Sequence, residues 1–168
     1  MEDIIRGILI AAPLGTVCFF AVAIPLKRSG RIHRISAWTF LFTVYLFVLL
    51  YGTIIGRIMD GSRFGMLGNM ELYVAFHFDT WASILHDGLN VALFAPYGFL
   101  LPLCLSRCHW AMRFMWTLIS GIMLTMMIET MQYLLGMSFD LKDMITNIAG
   151  LVVGLIFYGF FSLVAKKD

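Results

Sequence analysis

Five apolar runs, each long enough to cross a lipid bilayer, constrain this chain more than any other feature. They fall near 4–26, 36–56, 87–105, 114–136 and 143–165, and roughly 20 mostly apolar residues are what a helix needs to traverse the hydrocarbon core. Backbone polar groups in lipid find no water, so runs of this length must satisfy themselves as helices. Composition agrees: 61% of the residues are hydrophobic and 13% charged, whereas an ordinary soluble domain is about a quarter charged. The expected fold is all-α, a polytopic membrane bundle of about five helices forming a single domain over 1–168. The third run carries Pro96 and Pro102 and leaves a kinked span or a partly re-entrant segment open. The first run follows Glu2 and Asp3 rather than a basic region, so it reads as a retained helix, not a cleaved signal.

The links between runs alternate in charge. Lys27, Arg28, Arg31, Arg34, Arg107, Arg113, Lys166 and Lys167 fall on one side, and Arg6, Arg57, Arg63 and Lys142 on the other. Lys and Arg favour the cytoplasmic side. This bias places the N-terminus outside and the C-terminus in the cytoplasm, in the expected setting of a bacterial cytoplasmic membrane. The link over roughly 57–86 is long for a helix connection and is expected to cover something. Its Tyr73, Phe76, Phe78 and Trp81 suit an interfacial segment on the outer surface.

Polar residues inside apolar runs are expensive and need partners. Gly121, Thr125, Glu129, Gln132 and Gly136 follow helical spacing in the fourth run, and Asp140, Asp143, Asn147, Gly150 and Gly154 do so in the fifth. Asp87, Asn90, Phe94 and Tyr97 repeat it in the third. Residues three and four apart share a helix face, so each of these helices presents one polar or small-residue stripe. The topology brings the polar ends together on the outer half of the membrane. The candidate polar cleft is Asn90, Glu129, Gln132, Asp140, Asp143 and Asn147. Competing structural readings exist: Asp140 and Asp143 suit an N-cap and a first-turn acid, Asn147 suits interhelical bonding, and Glu129 could sit neutral beside Gln132. Gly150 and Gly154 suit close packing within the chain better than a dimer seam.

Other clusters are weaker. His77, Asp79, His86 and Asp87 form a loose set with no recognisable metal spacing. Cys104, Cys108 and His109 lack the second half of a zinc site, and Cys18 completes no disulfide framework. No resident metal or cofactor is expected. No nucleophile elbow, phosphate loop or zincin helix appears.

The motif residues resemble the VanZ-like family of small membrane proteins over about 36–160. Asn90, Phe94, Pro96 and Gly98 match its N-x-x-x-F-x-P-x-G pattern, Glu129 and Gln132 its E-x-x-Q. Asp140, Asp143, Asn147, Gly150 and Gly154 match its D-x-x-D-x-x-x-N-x-x-G-x-x-x-G. Many members carry an Arg just ahead of the first of these Asp residues; here Gly136, Met137 and Ser138 supply no base. The resemblance then leaves Arg57 or Lys142 to provide the cation. It implies a link to resistance against lipoglycopeptide antibiotics of the teicoplanin type, and no enzymatic activity comes with it.

The resulting expectation is a cell-envelope protein that binds membrane lipids and takes a lipid-linked or amphipathic ligand in its cleft. A polyprenyl-linked cell-wall precursor and a lipoglycopeptide both have that chemistry; nucleic acid is not an expected partner, and the oligomeric state is left open. The alternatives are a membrane-embedded enzyme using Glu129 and Asp143 as acid and base on a lipid phosphate or ester, and a proton-coupled transporter using Glu129 as relay.

Overall fold

A computed structural model describes residues 2–29, 36–55, 58, 67–68, 70–71 and 80–165. Five helices of spanning length and composition are present, as the apolar runs require. They are α1 (Glu2–Arg28), α2 (Ala37–Leu50, extended by a π-helical turn over Tyr51–Ile55), α3 (Trp81–Cys104), α4 (Trp110–Leu134) and α5 (Leu141–Val164). The chain divides into two compact units, Met1–Gly61 and Ser62–Asp168.

In the first unit α1 packs on α2. Ala11, Gly15, Phe19 and Ala23, four residues apart, form the buried stripe of α1. A Cβ on Gly15 would press on Val44 and Phe47, so the absence of a side chain there sets how closely the helices approach. Phe19 meets Phe40 edge-on with ring centroids 5.2 Å apart. No polar stripe accompanies this contact; Thr16 and Thr53 return their hydroxyls to the Ala12 and Leu49 carbonyls of their own helices.

In the second unit α3 and α5 run parallel and make the most extensive contact, with α4 antiparallel to both. Glycine explains the closeness. A Cβ on Gly98 would collide with the Leu151 carbonyl, on Gly150 with the Val91 carbonyl, and on Gly154 with the Ala95 carbonyl. Backbone thus lies on backbone for several turns, the arrangement small residues permit in lipid. Phe94, Tyr97, Leu151, Leu155 and Tyr158 fill the buried centre. The outward faces of α4 and α5 carry exposed Met123, Met126, Ile156, Phe157 and Phe160, a surface suited to acyl chains.

Two expectations about the third helix change. The third helix starts at Trp81 rather than near 87, so 81–86 belong to it and not to the preceding link. Thr80 is its N-cap, extended at φ −127° and ψ 139°, with its hydroxyl accepting the Ser83 N–H at 3.3 Å. The polar His86-Asp87-Gly88 step lowers local hydropathy without breaking the helix. The same helix runs unbroken through Pro96 and Pro102, which removes the re-entrant alternative; its 24 residues span about 36 Å at the α-helical rise. Tyr73, Phe76, His77, Phe78, Asp79, Arg57 and Arg63 lie outside the described residues, and Trp81 is exposed in the first turn of α3.

The α4–α5 turn is tightly specified. Gly136, at φ 81°, is the residue in the left-handed region, where glycine has no Cβ penalty. The N–H of Met137 returns to the Gln132 carbonyl and that of Gly136 to Tyr133, the paired bonds of a Schellman stop. Gly68 donates its N–H to the Tyr133 carbonyl at 3.0 Å and lies so close to Met137 that a Cβ would strike its carbonyl. Beyond it β1 (Met70–Glu71) pairs in parallel with β2 (Phe139–Asp140), the one strand pairing among the described residues.

Candidate functional site

The start of α3, the end of α4 and the start of α5 meet at one end of the second unit, and the polar residues gather there. Glu129, in the last two turns of α4, is 2% exposed. Its Oε2 accepts the backbone N–H of Asp140 at 3.2 Å. Asp140 is the N-cap of α5: extended backbone, with Oδ1 accepting the Lys142 N–H at 2.7 Å. Two turns on, the buried Asn147 donates Nδ2 to Thr125 Oγ1 on α4 at 2.9 Å. Gln132 is half-buried in the final turn of α4, where its carbonyl takes the Leu135 and Met137 N–H groups.

On the other side α3 faces α5 through charge. Asp87, 9% exposed, has its Oδ1 2.7 Å from the Lys142 ammonium. Its Oδ2 meets no donor among the described residues. His86, half-exposed one residue earlier, holds Nδ1 3.6 Å from Asp143 Oδ1 and 3.9 Å from Asp87 Oδ1. Asn90, half-buried a turn deeper on α3, leaves Nδ2 without an acceptor among the described residues.

The expected set therefore falls into one neighbourhood in two halves. Glu129, Asp140, Asn147 and Thr125 tie α4 to α5, while Asp143 and Asn90 belong to the α3–α5 side. The candidate cleft left out His86 and Lys142, and also Asp87, which spacing had put on the third-run stripe. Asp87 had a signal, since it sits three residues before Asn90 on the same face. Lys142 had another, as a lone base between two acids at a helix start. Its nearest carboxylate partner across helices is Asp87; Arg57, the other cation considered, lies outside the described residues.

Among the described residues Asp87, Asp143, Asp140 and Glu129 gather at this end with one lysine, Lys142, and one histidine, His86. A buried charge is tolerated only when paired or hydrogen-bonded; Asp87 Oδ1 has the Lys142 ammonium, but Asp87 Oδ2, Asp143 Oδ1, Asn90 Nδ2 and Asn147 Oδ1 lack hydrogen-bond partners among the described residues. Unpaired buried polar groups cost roughly 1–3 kcal/mol each, so this end departs from what stability alone would select.

The opposite end is saturated. Arg113 donates Nε to the Cys108 carbonyl, Nη1 to Tyr158 Oη and Nη2 to the Ser106 carbonyl. Tyr97 donates to Ser120 Oγ at 3.0 Å nearer mid-helix. These bonds join the helices and leave the guanidinium little to offer a ligand.

The profile of the VanZ/LLP1 family matches residues 42–162, which takes in nearly all of α3, α4 and α5. The chain belongs to the VanZ/LLP1 family. In this VanZ/LLP1 protein the three motif segments of the resemblance are the three helix ends just described: Asn90 on α3, Glu129 and Gln132 on α4, and Asp140 to Asn147 on α5. The motif glycines Gly98, Gly150 and Gly154 form the crossing that holds those ends together. No curated protein and no solved structure matches the chain. Family membership and five apolar helices make this a multi-pass membrane protein.

Proposed function

We propose that the polar end of α3, α4 and α5 receives the headgroup of a lipid-linked or amphipathic ligand, while the ligand's tail lies along the apolar outer faces. The observation that carries this reading is the set of buried atoms without hydrogen-bond partners among the described residues: Asp87 Oδ2, Asn90 Nδ2, Asp143 Oδ1 and Asn147 Oδ1. Donors and acceptors from two helices, at the end where headgroups lie, suit the hydroxyls, amides and amines of a sugar or peptide headgroup. Convergent polar groups inside an apolar frame are the usual form of such a site. By charge bias this end faces outward, toward the cell-wall side of a bacterial cytoplasmic membrane. Ligands of the right chemistry are a polyprenyl-linked cell-wall precursor and a lipoglycopeptide of the teicoplanin type, which connects the site to antibiotic resistance.

Binding is better supported than catalysis. Glu129 is closed from solvent and engaged with the Asp140 N–H, a poor position for exchanging protons with a substrate. The test is a susceptibility assay with matched expression. Glu129→Gln and Asp143→Asn are expected to abolish protection against teicoplanin while reaching the membrane at parental levels. Susceptibility unchanged in both variants rejects the site, and mass spectrometry of the purified protein checks independently for a retained polyprenyl or amphipathic ligand.

A further inference from the structure

We propose that His86, Asp87 and Asp143 form a binding site for one divalent transition-metal ion where α3 meets the start of α5. Nδ1 of His86 stands 3.6 Å from Asp143 Oδ1 and 3.9 Å from Asp87 Oδ1. The three ligand atoms all lie within 4.8 Å of one another. An ion at the centre of such a triangle sits about 2.4 Å from each atom, already a coordination distance for a divalent cation. A closure of roughly 0.3 Å brings it to the zinc–nitrogen and zinc–oxygen range.

A second observation points the same way. Asp87 is nine-tenths buried; its Oδ1 lies against the Lys142 ammonium, while its Oδ2 and Asp143 Oδ1 have no hydrogen-bond partner among the described residues. Each carboxylate thus keeps an oxygen whose lone pairs no described donor takes, beside one imidazole. Lys142, 2.7 Å from Asp87 Oδ1, supplies one positive charge, which balances one of the two carboxylates. Its ammonium is also a competitor, because it stands at the oxygen a metal would take.

The donor set narrows the ion. Mg2+ and Ca2+ are held by oxygen, whereas an imidazole nitrogen suits Zn2+ and its first-row neighbours, with carboxylates extending the range to Mn2+. Three protein ligands leave at least one position open. His86 is half-exposed, so that position is accessible to water or to a ligand group.

The site shares Asp87 and Asp143 with the headgroup reading but is tested separately from it, since the ion needs no lipid ligand to bind. The full chain in nanodiscs of zwitterionic lipid is titrated with Zn2+ by calorimetry and with Mn2+ by electron paramagnetic resonance. One ion per chain is expected. His86→Ala and Asp143→Asn each lose at least what an outer-shell substitution costs a metal site, roughly tenfold in affinity. Lys142→Gln binds more tightly than the parent, the response that a merely structural lysine would not give. His86 is on the surface, so its loss leaves the core packed, and thermal melting of the variant without metal matches the parent. Absence of stoichiometric binding, parental affinity in His86→Ala, or weaker binding in Lys142→Gln overturns the assignment.

Discussion

Asn147 and Thr125 show how a buried amide is handled in this bundle. Asn147 is 4% exposed and Thr125 is fully buried, and their bond of 2.9 Å is the direct polar link between the middle turns of α4 and α5. Interhelical hydrogen bonds in membranes are worth less than their burial suggests, about 0.6 kcal/mol on average, because the unfolded state in lipid also finds partners. A double-mutant cycle of Asn147→Ala and Thr125→Ala, read by detergent-induced unfolding, is therefore expected to give a coupling of about 0.6 kcal/mol and no more than about 1.7. At this level the sequence was informative where helical spacing operates. Asn90, Glu129 and Asn147 could be set on faces by counting threes and fours. What counting could not supply was the pairing between helices: that Lys142 turns toward Asp87, or that the Asp140 N–H reaches Glu129. Those depend on the rotation and depth of one helix against another, which packing decides.

The α3–α5 crossing shows that glycines of one spacing class have very different roles. Gly98, Gly150 and Gly154 each lie where a Cβ would meet a backbone carbonyl of the partner helix, whereas Gly88 and Gly159 have open space. Backbone cannot move aside as a side chain can. Gly150→Leu and Gly154→Val are thus expected to cost at least the 1–3 kcal/mol typical of overpacking (about that much) and to lower the amount of protein in the membrane. Gly159→Ala is expected to keep parental levels and gain slightly in stability, because alanine forms helix better than glycine. Quantitative blotting of membrane fractions with thermal melting compares the two classes, and equal losses at Gly150 and Gly159 would contradict the crossing. The number of helices was legible from hydropathy, but the start of α3 was not. A capping threonine, exposed Trp81 and a polar step at His86 and Asp87 look like a loop until the ion pair to Lys142 shows what those charges meet.

For the molecule as a whole, the charge bias and the gathered helix ends make one topological statement. If the acidic end faces outward, a cysteine replacing Ser138 in a cysteine-free background reacts with an impermeant maleimide on intact cells. One replacing Ala165 reacts only after permeabilisation. The reverse pattern would invert the proposed orientation and put the acidic end in the cytoplasm, where no externally delivered antibiotic could reach it directly. A final consequence comes from the short backbone pairing of Met70–Glu71 with Phe139–Asp140. Asp140 is stitched to Glu71 in register, caps the start of α5 with its side chain and places its amide on Glu129. Gly68 is fastened to the same turn. Three otherwise separate parts of the chain are thereby anchored at one dipeptide, so the spacing between Gly68 and Glu71 is a dimension of the carboxylate's surroundings. Lengthening or trimming that spacer acts like moving the frame around a fixed lens, disturbing Glu129 through the backbone that surrounds it.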